Sequence, residues 1–278
     1  MKIWATLLLI LILIGSMCHL TGCSDKPYES NVNASKRIIM TSDTILSGMA
    51  ISLLPQGRYS VEAMLPPGQC PGHYDVKISD IERLKKADLI ISFSGMHFMD
   101  KTGISDKKHL FIDAGGRNWM SPDAYVYGLD VLAVRLSECF PEDKNVIERL
   151  KKEAVLKIKE GADVISQSIK KAGISGTPVI ASSMQKEPLE WMGLRVVAEY
   201  GRQEAISARE VVDLVEKGKK ESVKIVVDNL QSGPDAGRSI AETIRAKHVV
   251  LTNFPSENGY LATLGKNAEA IIDAAMKR

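Results

Sequence analysis

Residues 143–172 run for about 30 positions with no proline and a single glycine, Gly161. Val146, Leu150, Ile158, Ala162, Ile165 and Ile169 recur there at spacings of three, four or eight, which draws one apolar stripe along a helix. Lys151, Lys152, Lys159, Glu160 and Lys170 occupy the opposite face. At ~1.5 Å per residue such a helix spans roughly 40–45 Å, the length of a domain pair. A lone glycine inside a helix costs only ~1 kcal/mol, so one unbroken helix is expected, with two helices broken at Gly161 as the alternative.

Strands alternate with helices on both sides of that run. Strands are expected at 37–41, 59–65, 87–93 and 110–114, then again at 178–182, 195–199, 223–228 and 248–252. Helices fill the gaps: one ending at Leu54 and capped by Ser42 or Asp43, then 79–86 with Ser79 or Asp80 as its cap, then 122–140. After the long run come 187–192, 207–217, 235–245 and 260–276. The run ADLIISF at 87–93 is continuously apolar, as in a parallel strand buried on both faces. The pattern predicts an α/β chain of two similar parallel-sheet lobes joined by one long rigid helix. In open parallel sheets ligands bind beyond the carboxyl ends of the strands, which puts the ligand cleft between the lobes.

The N-terminus has a different character. Lys2 precedes an apolar run at 7–14, then Gly15, Ser16 and Leu20-Thr21-Gly22-Cys23. An apolar core this short is an export signal, since a spanning helix needs about 20 apolar residues. Leu-Thr-Gly-Cys resembles a bacterial lipobox, which implies cleavage before Cys23 and a lipid on its sulfur. The expected organisation is a signal peptide at 1–22, a tether at 23–35, lobes at 36–142 and 174–278, and the linking helix at 143–173. The mature protein is expected outside the cytoplasm, on the periplasmic or cell-surface side, anchored to a bacterial-type membrane by its lipid. The 36 lysines and arginines nearly balance the 34 acids, so the charge gives no sign of a nucleic-acid partner.

The stretch LPPGQCPGHYDVKISD, residues 65–80, follows a strand and carries Cys70 and His73 in a loop stiffened by Pro66, Pro67 and Pro71. Thiolate and imidazole are common ligands of divalent transition metals. The plainer reading is a Pro/Gly turn between a strand and a helix, with a buried Cys and a surface His. Cys139 closes a helix roughly 27 Å long at ~1.5 Å per residue, which places it beyond disulfide reach of Cys70 if that helix starts near the loop. A third reading makes Cys70 a nucleophile and His73 its base, but the orienting third group of such sites is not evident. We expect no enzyme.

Leu65-Pro66-Pro67-Gly68, Tyr74, Ser79-Asp80, Lys86-Ala87-Asp88-Leu89-Ile90, Trp119 before a helix and Met192-Gly193-Leu194 form a set. Together with the lipobox, the two α/β lobes and the linking helix, they resemble the metal-binding lipoproteins of zinc and manganese ABC importers. The resemblance implies a monomeric solute-binding lipoprotein that hands a transition-metal ion, zinc above all, or a metal complex to an ABC permease. It also implies three histidines and a carboxylate around the ion. Here Gly72 stands at the first histidine position with His73 beside it, Arg117 at the second, Ser182 at the third and Asn253 at the acid. Cys70 and His73 are therefore the candidate metal ligands, with a preference for softer ions.

Arg117, Asn118, Trp119, Gln185 and Asn253, at or just beyond strand ends, are the candidate ligand-binding residues, with Glu187 nearby. Met120 and Met184 are read as core packing. Arg117 repels a bare metal ion and suits a carboxylate or phosphate, free or attached to a metal. His97, His109 and His248 are read as ordinary surface histidines. The alternative cargo is a cobalamin, haem or siderophore-type ligand, with Cys70 as an axial thiolate.

Overall fold

The structure, a computed structural model, describes residues 35–100, 102–104 and 108–276. The expected signal peptide, Cys23 and the tether as far as residue 34 lie outside the described residues. Strands β1 (Arg37–Thr41), β2 (Tyr59–Ala63), β3 (Leu89–Phe93) and β4 (His109–Ile112) form a parallel sheet in the order β2-β1-β3-β4. Strands β5 (Pro178–Ser182), β6 (Arg195–Tyr200), β7 (Ile225–Asn229) and β8 (Lys247–Leu251) repeat it as β6-β5-β7-β8. All five residues of β3 and all five of β7 are buried, because both are interior strands covered on both faces. The outer strands β2 and β6 keep exposed positions.

Between the strands lie α1 (Thr44–Leu53), α2 (Ile78–Lys86), α3 (His97–Asp100) and α4 (Pro122–Cys139) in the first lobe. The second lobe holds α6 (Lys186–Trp191), α7 (Ala208–Lys220), α8 (Arg238–Ile244) and α9 (Tyr260–Met276). The linking helix α5 runs unbroken over Lys144–Ala172 and ends at Gly173, whose φ of 66° lies in the left-handed region that closes helices. Gly161 does not break it. A Cβ at that position would lie 2.5 Å from Leu261 Cδ1, so the glycine is the point where α9 of the second lobe comes closest.

Alternation along the strands divides the core. Ile39 and Ile91 point to a shared cluster that runs through Ile147, Ile158 and Ile169 of α5 to Val179, Leu264 and Ile271 of the second lobe. Met40 and Ile90 point the other way into a second cluster of first-lobe residues, against which Phe254 of the second lobe also packs, and Ile180 and Val226 point into a cluster confined to the second lobe. Helices α1, α4 and α9 all pack on α5, so both lobes share one helix as a common wall.

Local capping differs from expectation in one place. Helix α2 starts at Ile78, and Asp80 is its third residue: the Asp80 carboxylate accepts from Lys77 N at 3.0 Å rather than serving as the cap. At α1 the expected cap is present. Asp43 is fully buried, and its carboxylate accepts from Ile45 N at 2.9 Å, Leu46 N at 3.1 Å and the Ser42 hydroxyl at 2.7 Å. Burial pushes the Asp43 carboxyl up, against the pull of those three bonds. Cys70 and Cys139 are both free thiols. Among the described residues no helix is long and apolar enough to cross a membrane.

Because the Asp43 cap is buried and satisfies two amides at once, Asp43→Ala is expected to lower unfolding free energy by about 2 kcal/mol in urea titrations. Asp43→Asn, which keeps the accepting oxygen, should retain most of that stability. Equal losses in the two variants would show that the cap bonds do not carry the effect.

Candidate functional site

A cavity of about 680 Å³ opens where the carboxyl ends of the two sheets face each other. The first lobe contributes residues 94–96 after β3, Ala114 and residues 116–119 after β4, and Pro71 and Gly72 from the loop after β2. From the second come Ser183 and Met184 after β5, Asn229, Gln231 and Ser232 at the end of β7, Asn253 and Phe254 after β8, and Arg202 after β6. Each sheet reverses its winding between its interior strands, and the cavity lies beyond those two switch points, as expected of open parallel sheets.

Side-chain amides hold the centre of this cleft. Asn118 Nδ2 donates to Met184 O at 2.5 Å and to Asn253 Oδ1 at 3.3 Å, which links the lobes. Asn253 Nδ2 donates to the same Met184 carbonyl at 3.0 Å, and Asn253 N to Gln231 Oε1 at 3.0 Å. Gln185, fully buried, donates through Nε2 to Asn229 Oδ1 at 3.0 Å and Asn253 Oδ1 at 2.9 Å. Two polar atoms of this wall are buried without partners, Gln185 Oε1 and Ser182 Oγ.

Glu187, at the start of α6, accepts three cross-lobe hydrogen bonds. Its carboxylate accepts from Asn118 N at 2.6 Å, the Ser121 hydroxyl at 2.9 Å and Arg117 Nη2 at 3.2 Å. All three donors come from the segment leading into α4, so a second-lobe anion seats on donors of the first lobe. Arg117 also lies over the Tyr127 ring, 5.9 Å from its centroid. Below the amides, Tyr125 and Tyr260 stack at 3.8 Å and Tyr260 Oη donates to Met120 O at 3.0 Å. Burial raises the phenol pKa of both, which keeps them neutral.

The structure brings Arg117, Asn118, Trp119 and Asn253 together around one cavity, with Gln185 bonded behind them. Trp119 is only 2% exposed; its indole N–H donates to Ala114 O at 3.2 Å and its ring meets Phe93 edge-on at 4.7 Å, so it acts as wall. Cys70 and His73 flank the cavity-lining Pro71 and Gly72 in a short 3-10 turn, with His73 N donating to Cys70 O at 3.2 Å. Arg202 Nη1 lies 3.6 Å from Cys70 Sγ as a donor. The His73 side chain is 67% exposed, with Nε2 3.8 Å from Glu204 Oε1. Among the described residues, no three His, Cys, Asp or Glu side chains are grouped closely enough to hold a metal. Tyr74, which closes the turn, has its phenol pKa pushed up to about 12 by burial and then by its bond to Asp80.

Two expectations from the sequence change. Met184 is 45% exposed in the cleft and not core, because its backbone turns out of β5 into the amide web, whereas Met120 is fully buried as expected. His248 is no surface residue: its side chain is 14% exposed, with Nε2 2.6 Å from Asp228 Oδ2. Asp228, fully buried, also accepts from Tyr200 Oη at 2.6 Å and Gly237 N at 3.0 Å, which anchors the loop that carries Gln231 and Ser232. Sequence reasoning missed Arg202, Gln231 and Asn229. Arg202 follows Tyr200-Gly201 at the end of β6, so the strand-end rule applied to β6 would have found it.

The family model described as the zinc-uptake complex component A, periplasmic (ZnuA), matches residues 39–274. No curated protein matches the sequence. Among solved structures, a crystal structure of ZnuA aligns with a TM-score of 0.71 at 15% identity, covering 87% of this chain and 100% of that one. A Mn-bound periplasmic metal binding protein from Candidatus Liberibacter asiaticus aligns at 0.72 and 16% identity, over 87% of this chain and 100% of its own. A zinc-bound ZnuA deletion mutant aligns at 0.72 and 15%, over 88% and 100%. At such identities the likeness is one of fold.

Glu187→Ala would leave Asn118 N–H, the Ser121 hydroxyl and Arg117 without their shared acceptor. The site is partly exposed, so a loss of about 1 kcal/mol is expected, with faster hydrogen exchange at the Asn118 amide. Unchanged exchange at Asn118 would rule out the cross-lobe bond in solution.

Proposed function

The chain belongs to the ZnuA family of periplasmic zinc-uptake components, and on that premise we propose that it captures a transition-metal ion as a small anionic complex in the interlobe cleft. It then delivers that cargo to the permease of an ABC importer. The protein acts outside the cytoplasm as a monomer held to the membrane by a lipid on Cys23. Zinc is the leading metal. The family is one of uptake components rather than enzymes, and it does not favour the cobalamin, haem or siderophore alternative.

The observation that carries this reading is the pairing of a cavity of about 680 Å³ with a wall of amides in which the cations Arg117, Lys186 and Arg202 outnumber the carboxylates Glu187 and Glu190. A bare ion with its first waters needs far less room, since one water takes only about 30 Å³ of liquid. Neutral amide oxygens are weak ligands for zinc beside imidazole, thiolate or carboxylate. Cys70 and His73 supply the protein's own metal ligands from the edge of the cleft, and the chelator supplies the rest. Binding Cys70 to the metal means that Arg202 leaves the sulfur for an oxygen of the chelator. Since both lobes share α5, capture requires only a small rocking of one lobe on the other.

Elemental analysis and thermal melting of the full chain test the reading, with zinc alone and with zinc premixed with citrate. Premixed zinc at a hundredfold excess over its dissociation constant should stabilise the protein by about 2.7 kcal/mol, leaving zinc bound after desalting. Cys70→Ala should lose the retained zinc. An equal shift with zinc alone would point to a bare-ion site, and retained zinc in Cys70→Ala would remove Cys70 from the ligand set.

A further inference from the structure

Arg202 lies in the space a side chain at position 72 would need. A Cβ on Gly72 would stand 2.5 Å from Arg202 Nη1, 3.4 Å from Cζ and 3.5 Å from Nη2. One guanidinium nitrogen therefore occupies the space that a side chain at position 72 would take, and the glycine leaves it there undisturbed. Its hydrogen-bond acceptor there is the Cys70 sulfur, 3.6 Å from Nη1, and among the described residues no carboxylate forms an ion pair with it. A guanidinium has five donors in a planar fork that matches a carboxylate edge. Across the same cavity Arg117 spends one nitrogen on Glu187.

We propose that the cleft contains an oxyanion subsite, centred on Arg202 over Gly72 and faced by Arg117, that binds carboxylate groups of a small hydroxy-acid or amino-acid chelator whether or not metal is present. This assignment rests on the reading of the cleft as the cargo site and names what is recognised there: the carrier, with the metal read through it. Gly72 is then a specificity residue, because it makes the room in which the guanidinium sits. Arg117, Lys186 and Arg202 outnumber Glu187 and Glu190 in the lining, so the cleft prefers an ion already neutralised by carboxylates to a bare divalent one.

Calorimetric titration of the full chain, stripped of metal, tests the subsite with citrate, inorganic phosphate and zinc chloride as separate probes. Citrate alone should bind the wild type and the surface control Arg135→Gln equally. It should bind Arg202→Gln and Gly72→Ala at least about tenfold more weakly, the first by removing the fork and the second by displacing it. Unchanged citrate affinity in Arg202→Gln overturns the subsite. Phosphate binding that depends on Arg202, without citrate binding, overturns the carboxylate class. Citrate binding that depends on Arg202 with no zinc retained from the zinc–citrate mixture would sink metal capture and leave the subsite standing. Zinc retention indifferent to Arg202 and Gly72 would do the reverse.

Discussion

Both lobes bury apolar residues against one helix, and the geometry of the molecule follows from that shared wall. Ile147, Ile158, Ala162 and Ile169 are the buried residues of Lys144–Ala172, and they join the inner faces of both sheets into one cluster. Interiors are close-packed, so a lobe cannot swing far without opening voids along that seam. The Tyr125–Tyr260 stack and the bond from Tyr260 to the Met120 carbonyl secure the other side. What stays adjustable is the rim of the cleft, where contacts are single polar bonds between partly exposed groups.

At that rim the electrostatics are unusual for a protein in a metal-uptake family. The carboxylate that reaches across, Glu187, is consumed by Asn118 N–H, Ser121 and Arg117, and so offers little to a cation. The wall also carries the amides of Asn118, Asn229, Gln231 and Asn253, whose oxygens are mostly taken by other amides, together with Lys186, Glu190 and His97. Two guanidinium groups from opposite lobes face the same space. Under the proposed reading, an incoming anion meets those two guanidinium groups and Lys186.

The alternation of strands and helices was legible because period and burial are local matters. The continuous apolar run of β3, the unbroken α5 and the Asp43 cap were each readable from a window of a few residues. Element ends moved by a few positions, as for β4, which stops at Ile112 instead of Ala114. The strand-end rule puts Arg117, Asn118 and Asn253 at the carboxyl ends of the sheets, and all three line one cavity, because topology decides which ends converge. Arg202 stands at the end of β6, where the same rule applies. His248 was misread because its burial comes from Asp228, which is twenty residues away in sequence and on the neighbouring strand.

By itself the sequence determined the fold class, the two-lobed plan, the long helix and the resemblance to metal-uptake lipoproteins, since hydrophobic period and short motifs are written in consecutive residues. It also recorded Gly72 and Arg117 where the resemblance implies histidines. Only the tertiary structure decided what fills those places. Arg202 comes from the other lobe to lie on Gly72, and Glu187 comes from that lobe to pair with Arg117. Those contacts join residues 70 to 130 positions apart. A side chain's charge acts on whatever lies within a few ångströms, and only the folded chain sets that distance.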